Sequence, residues 1–171
     1  MFENQQIEVD LLPKIDAVQL KPISEHYLKI IILNKLLLYT FLIGVVVAGK
    51  FMVQKESYQA IFPFALGFVL FFCIINFVLA LLAFKKRKYA IREQDVIYAK
   101  GLLVNSITTV PISRIQHIEE SRSWLARKFN LSTLKIFTAG ESGSDLSIDG
   151  LPHEEAKKIN DYLSEKVNED N

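Results

Sequence analysis

The sequence predicts an α+β membrane protein in which two transmembrane helices precede an antiparallel β-domain that ends in a C-terminal α-helix. Two observations support this fold class. The apolar run Ala60–Phe84 carries no charge and is about 25 residues long, which exceeds the ~30 Å hydrocarbon core of a bilayer when helical. From residue 89 onward, apolar and polar residues alternate with the period of two that is typical of strands.

An earlier apolar run predicts the first transmembrane helix, and it can be drawn as Ile30–Ala48 or as Leu36–Val53. Lys35 decides between them, because a lysine deep in hydrocarbon costs about 2.5–3.5 kcal/mol. We expect Lys35 at the inner membrane interface, where its stem stays apolar and its ammonium reaches the headgroups. A signal peptide cleaved near Ala48 is the alternative interpretation of this run.

A basic tetrad directly follows the second run and predicts the orientation. The tetrad consists of Lys85, Lys86, Arg87 and Lys88. Lysine and arginine residues beside a spanning segment are retained on the cytoplasmic side. The chain is therefore predicted to be a multi-pass protein of the inner cell membrane with both termini cytoplasmic. The predicted parts are a cytoplasmic tail (1–29), a transmembrane hairpin (30–84, with spans at about 30–53 and 60–84) and a cytoplasmic domain (85–171).

Asn76 is the one strongly polar side chain inside the second predicted span. Tyr39 and Thr40 fall at a comparable depth on the antiparallel first span, so we expect one interhelical polar contact among these three residues. Such a contact is worth about 0.6 kcal/mol and up to about 2 kcal/mol. Cys73 is interpreted as a small apolar filler of the same helix.

The remaining sequence predicts short strands joined by turns and one amphipathic helix. Helical spacing of Ile159 and Leu163, after Pro152 and two carboxylates, predicts a helix from Pro152 to Val167 that plugs a half-open barrel. The predicted strands are Lys88–Arg92, Val96–Lys100, Leu102–Val104, Ile107–Ile112, Ile115–Glu120, Thr133–Thr138 and Leu146–Ile148.

Three motifs of this region resemble one known family. The stretch Val110–Ile118 contains a proline-x-x-arginine-isoleucine-glutamine pattern, Ser121–Phe129 is a short arginine-containing segment, and Leu134–Gly140 ends in threonine-alanine-glycine. Together they resemble the bacterial pleckstrin-homology (PH) domain of YdbS-like membrane proteins, over nearly all of residues 30–171. Asn130 stands where the family usually has glycine, and asparagine also suits a left-handed turn.

The resemblance implies a PH-like barrel tethered under the inner membrane, and it does not imply an enzyme. It also implies a larger membrane protein with several copies of the domain as a partner, and a role in envelope stress or tolerance of membrane-active peptides.

The residues themselves indicate no catalytic, metal or cofactor site. His26, His117 and His153 are far apart in sequence, and the carboxylate pairs Glu119-Glu120 and Glu154-Glu155 are interpreted as solvated surface. The near-neutral net charge of +1 gives no reason to expect nucleic acid binding. We therefore expect no enzyme and no cofactor.

Two functions of different class are favoured, and both use the surface of the domain. The first is a scaffold that binds a protein partner, or further copies of the chain, through a sheet edge. The alternative is sensing of anionic lipid, and a transporter accessory subunit ranks third. The candidate lipid or partner surface consists of Arg114, Arg122, Trp124, Arg127 and Lys128. Trp124 is placed either in the domain core or a small helix against it, or at the bilayer interface.

Overall fold

The computed structural model describes residues 18–52, 56–138 and 146–169. Two long helices form an antiparallel hairpin, α1 (His26–Met52) and α2 (Glu56–Lys85). Both are long and apolar enough to cross a membrane, as their sequences predict, although α1 begins four residues earlier than the first predicted span. Most of the predicted N-terminal tail lies outside the described residues.

The first sheet contains four antiparallel strands in the order β1-β2-β3-β4. Its register pairs Tyr89 with Tyr98 and Val96 with Val110, which places alternate apolar side chains on the inner face. The strands are β1 (Lys21–Pro22), β2 (Lys88–Ile91), β3 (Asp95–Lys100) and β4 (Ser106–Pro111).

The second sheet contains three antiparallel strands, and a short helix connects the first two of them. Asn130 has φ of +53° at the start of β6, which confirms the left-handed turn expected there. The elements are β5 (Ile115–Ser121), α3 (Trp124–Lys128), β6 (Leu131–Thr138), β7 (Leu146–Pro152) and the C-terminal helix α4 (His153–Glu169).

Helix α4 packs on the inner faces of the strands, as the sequence predicts. Ala156, Ile159 and Leu163 are buried in the main core cluster of the domain. The two sheets are not joined by strand pairing within the described residues, because the chain turns through a 3-10 segment (Ile112–Arg114) between β4 and β5. The structure therefore has two packed sheets and a helix, and a closed barrel is not confirmed.

The predicted strand Leu102–Val104 is wrong. These residues form bends between β3 and β4, and the side chain of Leu103 is 85% exposed. Gly101 has φ of +108°, and a Cβ there would lie 1.9 Å from the carbonyl oxygen of Val104. The chain therefore folds back too tightly at Gly101 for a strand to continue.

The domain core extends beyond the predicted boundary at residue 85. Strand β1 pairs with β2, although its residues belong to the predicted tail. Ile23 is buried in the main core cluster, and Tyr27 and Phe84 pack against that cluster from the ends of the two long helices. The helical hairpin and the β-domain therefore share one core.

Candidate functional site at the helix–domain junction

The junction is held by backbone hydrogen bonds on both sides of the hairpin. The amide of Ser24 donates to the carbonyl of Gly150 at 3.0 Å, and the amide of Ile23 donates to the carbonyl of Arg87 at 3.4 Å. Residues just before α1 are thus tied to β7 and to the segment that leaves α2. The contacts fix where the helices emerge from the domain.

Gly150 makes this junction sterically feasible. Its φ is +75°, and a Cβ at this position would lie 2.6 Å from Cγ of Tyr27. Only glycine adopts this conformation easily and leaves room for the aromatic ring. The sequence analysis did not assign a role to this glycine.

One ion pair and one hydrogen bond, both to Glu155, brace the same region. Lys21 Nζ lies 2.6 Å from Glu155 Oε1, and the Tyr89 hydroxyl donates to the same oxygen at 2.5 Å. Burial disfavours the charged form of Glu155, but the bonds from Lys21 and Tyr89 outweigh it and lower its pKa. Burial and Glu155 raise the pKa of Tyr89. The expectation that Glu154-Glu155 is simply solvated surface was wrong for Glu155.

The basic tetrad is divided between surface and structure. Lys85, Lys86 and Lys88 are exposed, whereas Arg87 is half-buried and lies 3.5 Å from Asp149. The guanidinium of Arg87 also lies 5.7 Å from the centre of the Tyr27 ring. Three members of the predicted tetrad therefore remain available to bilayer headgroups.

The predicted interhelical contact is present between Tyr39 and Asn76, and it includes Lys35. Asn76 Oδ1 accepts from the Tyr39 hydroxyl at 2.9 Å and from Lys35 Nζ at 2.6 Å. Thr40 is exposed, because neighbouring helical residues point about 100° apart around the axis. Cys73 is buried one turn before Asn76.

The expected position of Lys35 at the inner membrane interface stays a prediction, and the structure adds a partner for its ammonium. Its ammonium binds Asn76, which lies nine residues before the end of α2, about 13 Å along the helix. The side-chain oxygen of Asn76 is a neutral acceptor at the same height in the hairpin as Lys35. The ammonium of Lys35 can therefore bind this oxygen instead of a lipid headgroup.

Helix α3 lies beside the first turns of α1. The hydroxyl of Ser123 accepts from the amide of Ala126 at 3.2 Å and caps α3, and Ala126 is buried against Ile30 of α1. A small helix against the domain is one of the predicted alternatives for this segment, and Trp124 on it is 69% exposed, so the ring itself does not lie in the core. Leu125 packs with the cluster that contains Ile30.

The turn between β3 and β4 lies at the same end of the domain as the hairpin. Lys88, three residues after α2 ends, pairs with Ala99, so β3 returns toward the hairpin. Leu103 and Val104 in the following turn are among the most exposed apolar side chains of the domain. Apolar side chains of the turn are thus presented close to the helix ends.

The predicted cationic surface does not form one cluster. Arg114 and Arg122 are separated by strand β5, which places them about 25 Å apart along the strand. Arg122 donates to the carbonyl of Leu131 and to Asn130 Oδ1, both at 3.2 Å, so it stabilises the turn before β6. Arg127 and Lys128, both exposed, remain together on α3.

The sequence analysis missed a hydrogen-bonded cluster at the start of α4. Glu120 Oε1 lies 2.8 Å from His153 Nδ1 and accepts from the Ser132 hydroxyl at 2.6 Å. Burial opposes ionisation of Glu120, but these bonds outweigh it and lower its pKa. Glu120 is therefore not solvated as predicted. The pairing of Leu131 with Pro152 brings Ser132 and His153 together, and this register is not visible from sequence spacing.

This cluster does not have the geometry of a nucleophilic relay. Such a relay uses the two imidazole nitrogens for different partners. Here Nδ1 of His153 lies near both Glu120 and Ser132, and Ser132 is only 1% exposed. Within residues 18–52, 56–138 and 146–169, no group of three or more histidine, cysteine, aspartate or glutamate residues is arranged to hold a metal ion.

Comparison with known proteins agrees with this architecture. Residues 31–167 match the family model of the bacterial PH domain. Over 88 residues the chain is 33% identical to the UPF0699 transmembrane protein YdbS of Bacillus subtilis (strain 168), a match that covers 52% of this chain and 54% of that protein. The matched region is thus about half the length of this relative, and no solved structure matches the chain significantly. Because the family match extends over most of the chain, from α1 to α4, the chain belongs to the bacterial PH-domain family.

Proposed function

We propose that the chain is a non-catalytic, membrane-anchored PH-like interaction module at the cytoplasmic face of the membrane. The shared core is the observation that carries this proposal. Ile23, Tyr27 and Phe84 link both helix ends to the sheets, so the domain is held in one position beside the hairpin. A fixed position suits a module that presents one surface of the domain to partners in or near the membrane.

Length and charge support the membrane placement. Helix α1 has 27 residues and extends about 40 Å, which exceeds the ~30 Å hydrocarbon core. The Bacillus subtilis relative, the transmembrane protein YdbS, matches half of the chain. Exposed Lys29, Lys85 and Lys86 lie at the domain end of the hairpin and Lys50 at the other end, so the positive-inside rule favours a cytoplasmic domain.

The exposed apolar residues near the helix ends provide a test of this placement. We propose that Trp124 lies at the interface, where indole rings are favoured, and that Leu103 lies at a similar depth. Trp124 is the single tryptophan of the chain, so its fluorescence reports one position. With the full chain in vesicles, lipids brominated near the headgroup should quench it more strongly than an aqueous quencher. Quenching by the aqueous reagent alone would contradict the placement.

Strand β4 is the surface that we propose for a protein partner. It is an edge strand of the first sheet, and Ile107 and Thr109 are exposed on it. Unpaired backbone groups of an edge strand bind a strand from another protein by extending the sheet. The resemblance to YdbS-like proteins suggests that this partner is a larger membrane protein with several PH-like domains, and that its setting is tolerance of membrane-active peptides.

Photo-crosslinking in native membranes tests this surface. A photoreactive amino acid at Thr109 should yield a discrete protein adduct, whereas the same amino acid at exposed Lys157 on α4 should not. Equal crosslinking at both positions, or at neither, would contradict a partner on β4. Adducts with a second copy of the chain would identify a homo-oligomer. The competing function as a lipid reader needs Arg114 and Arg122 on one surface, and their separation along β5 argues against it.

A further inference from the structure

A groove opens between α1 and α2 at the end of the hairpin nearest the domain. Its volume is about 750 Å³, within the range of pockets that bind small ligands. The side chains along the groove are apolar, and they include Ile32, Val78, Leu81 and Leu82. An open apolar groove between two candidate membrane helices is shaped for a long, flexible apolar group.

The polar residues of the groove are confined to one end. Lys29 and Lys85 are exposed there, together with His26 and Glu25. Val78 lies seven residues before Lys85, so the apolar part extends about 10 Å away from the cations along α2. The groove therefore has a cationic entrance at the domain end of the hairpin and an apolar interior along the helices.

Lys29 also borders a second cleft, of about 450 Å³, between α1 and the α3 region. Lys128 and Phe129 line that cleft together with His26. Lys29 thus lines both the groove and the second cleft, and Lys128 is a further lysine of the second cleft. Among the residues that line the two clefts, the lysines Lys29, Lys85 and Lys128 outnumber the single carboxylate, Glu25.

We propose that this groove binds an anionic phospholipid of the cytoplasmic leaflet, with its phosphate between Lys29 and Lys85 and one acyl chain along Ile32 and Val78. The inference rests on the membrane placement proposed above, but not on a protein partner. Two ammonium groups favour an anionic headgroup over a zwitterionic one. The apolar interior favours a lipid over free phosphate, because phosphate would leave this surface uncovered.

Native mass spectrometry of the full chain in detergent, with added phosphatidylglycerol or phosphatidylcholine, tests the proposal. We expect wild type to retain phosphatidylglycerol in preference to phosphatidylcholine. The double variant Lys29→Gln/Lys85→Gln should bind phosphatidylglycerol at least about tenfold more weakly, since two charges near an anionic headgroup are lost. The matched control Lys50→Gln/Lys86→Gln removes the same charge outside the groove and should bind like wild type.

A second variant tests the apolar part of the site. Leu82→Trp places a bulky ring in the groove while leaving both lysines in place, and it should also weaken retention of phosphatidylglycerol. Equal losses in the groove and control charge variants would overturn the proposal, as would displacement of the lipid by inorganic phosphate. Crosslinking from Thr109 should be unchanged in Lys29→Gln/Lys85→Gln, so a failure of the lipid site is distinguishable from a failure of the proposed partner surface.

Discussion

Gly150→Ala should uncouple the helical hairpin from the β-domain. The new Cβ would lie 2.6 Å from Cγ of Tyr27 and 2.7 Å from its Cβ, so the ring or the β7 backbone has to move. Left-handed backbone costs a non-glycine residue about 1–2 kcal/mol, and overpacking costs about 1–3 kcal/mol. The expected destabilisation is about 2–5 kcal/mol, which is large beside a typical unfolding free energy of about 5–15 kcal/mol.

Hydrogen exchange of the full chain in detergent measures this effect locally. The amide of Ser24 donates to the carbonyl of Gly150, so its protection should fall most, followed by that of the neighbouring amides of β7. Gly67→Ala is the matched control, because a Cβ on Gly67 in α2 meets no atom within 4 Å. A double-mutant cycle with Tyr27→Gly, which removes both Cγ and Cβ of Tyr27, isolates the steric part, and the two changes should be less than additive by about 1–3 kcal/mol. Equal protection in Gly150→Ala and Gly67→Ala would refute the argument.

Three further substitutions probe the core, the hairpin and the junction. Leu163→Ala empties a fully buried position and should lower the unfolding free energy by about 2–5 kcal/mol in denaturant titration, whereas exposed Lys157→Ala should change it by less than about 0.5 kcal/mol. Asn76→Leu removes the acceptor of two interhelical bonds and should weaken the helix pair by about 1–2 kcal/mol in detergent-unfolding assays, while Thr40→Ala should be neutral. The pKa of Glu155 is lowered in the folded state, so this carboxylate is protonated in the unfolded chain at a higher pH than in the folded one. The free energy of unfolding should therefore decrease as the pH is lowered below about 4.5, and Glu155→Gln should reduce that decrease.

Elements with a strong periodic signal could be predicted from sequence. The length of the apolar run defines α2, because a bilayer-length segment without charge has few other folded forms. The i, i+4 spacing of Ile159 and Leu163 defines the buried face of α4. In both cases the information lies within a few helical turns, and no distant contact is needed to interpret it.

Short segments could not be predicted, because their conformation depends on residues elsewhere. The apolar triplet Leu102–Val104 has strand-like composition, but the reversal at Gly101 prevents it from pairing. Strand β1 is two residues long and includes Pro22, so nothing local indicates a strand. It forms because Lys21 and Pro22 meet Tyr89 and Lys88 across the sheet.

The bond from Lys35 to Asn76 could not be predicted for a related reason. Considered alone, a lysine near the end of a membrane span is most stable when its ammonium reaches the headgroups, and the sequence around Lys35 indicates only that position. Asn76 lies 41 residues away and provides a carbonyl oxygen at the depth of the lysine. Because an acceptor on the neighbouring helix satisfies the ammonium without a path to water, the choice between the two positions depends on how α1 and α2 pack against each other. The position of an ionisable side chain in a helical hairpin therefore follows from the helix pairing as well as from its distance to the end of the span.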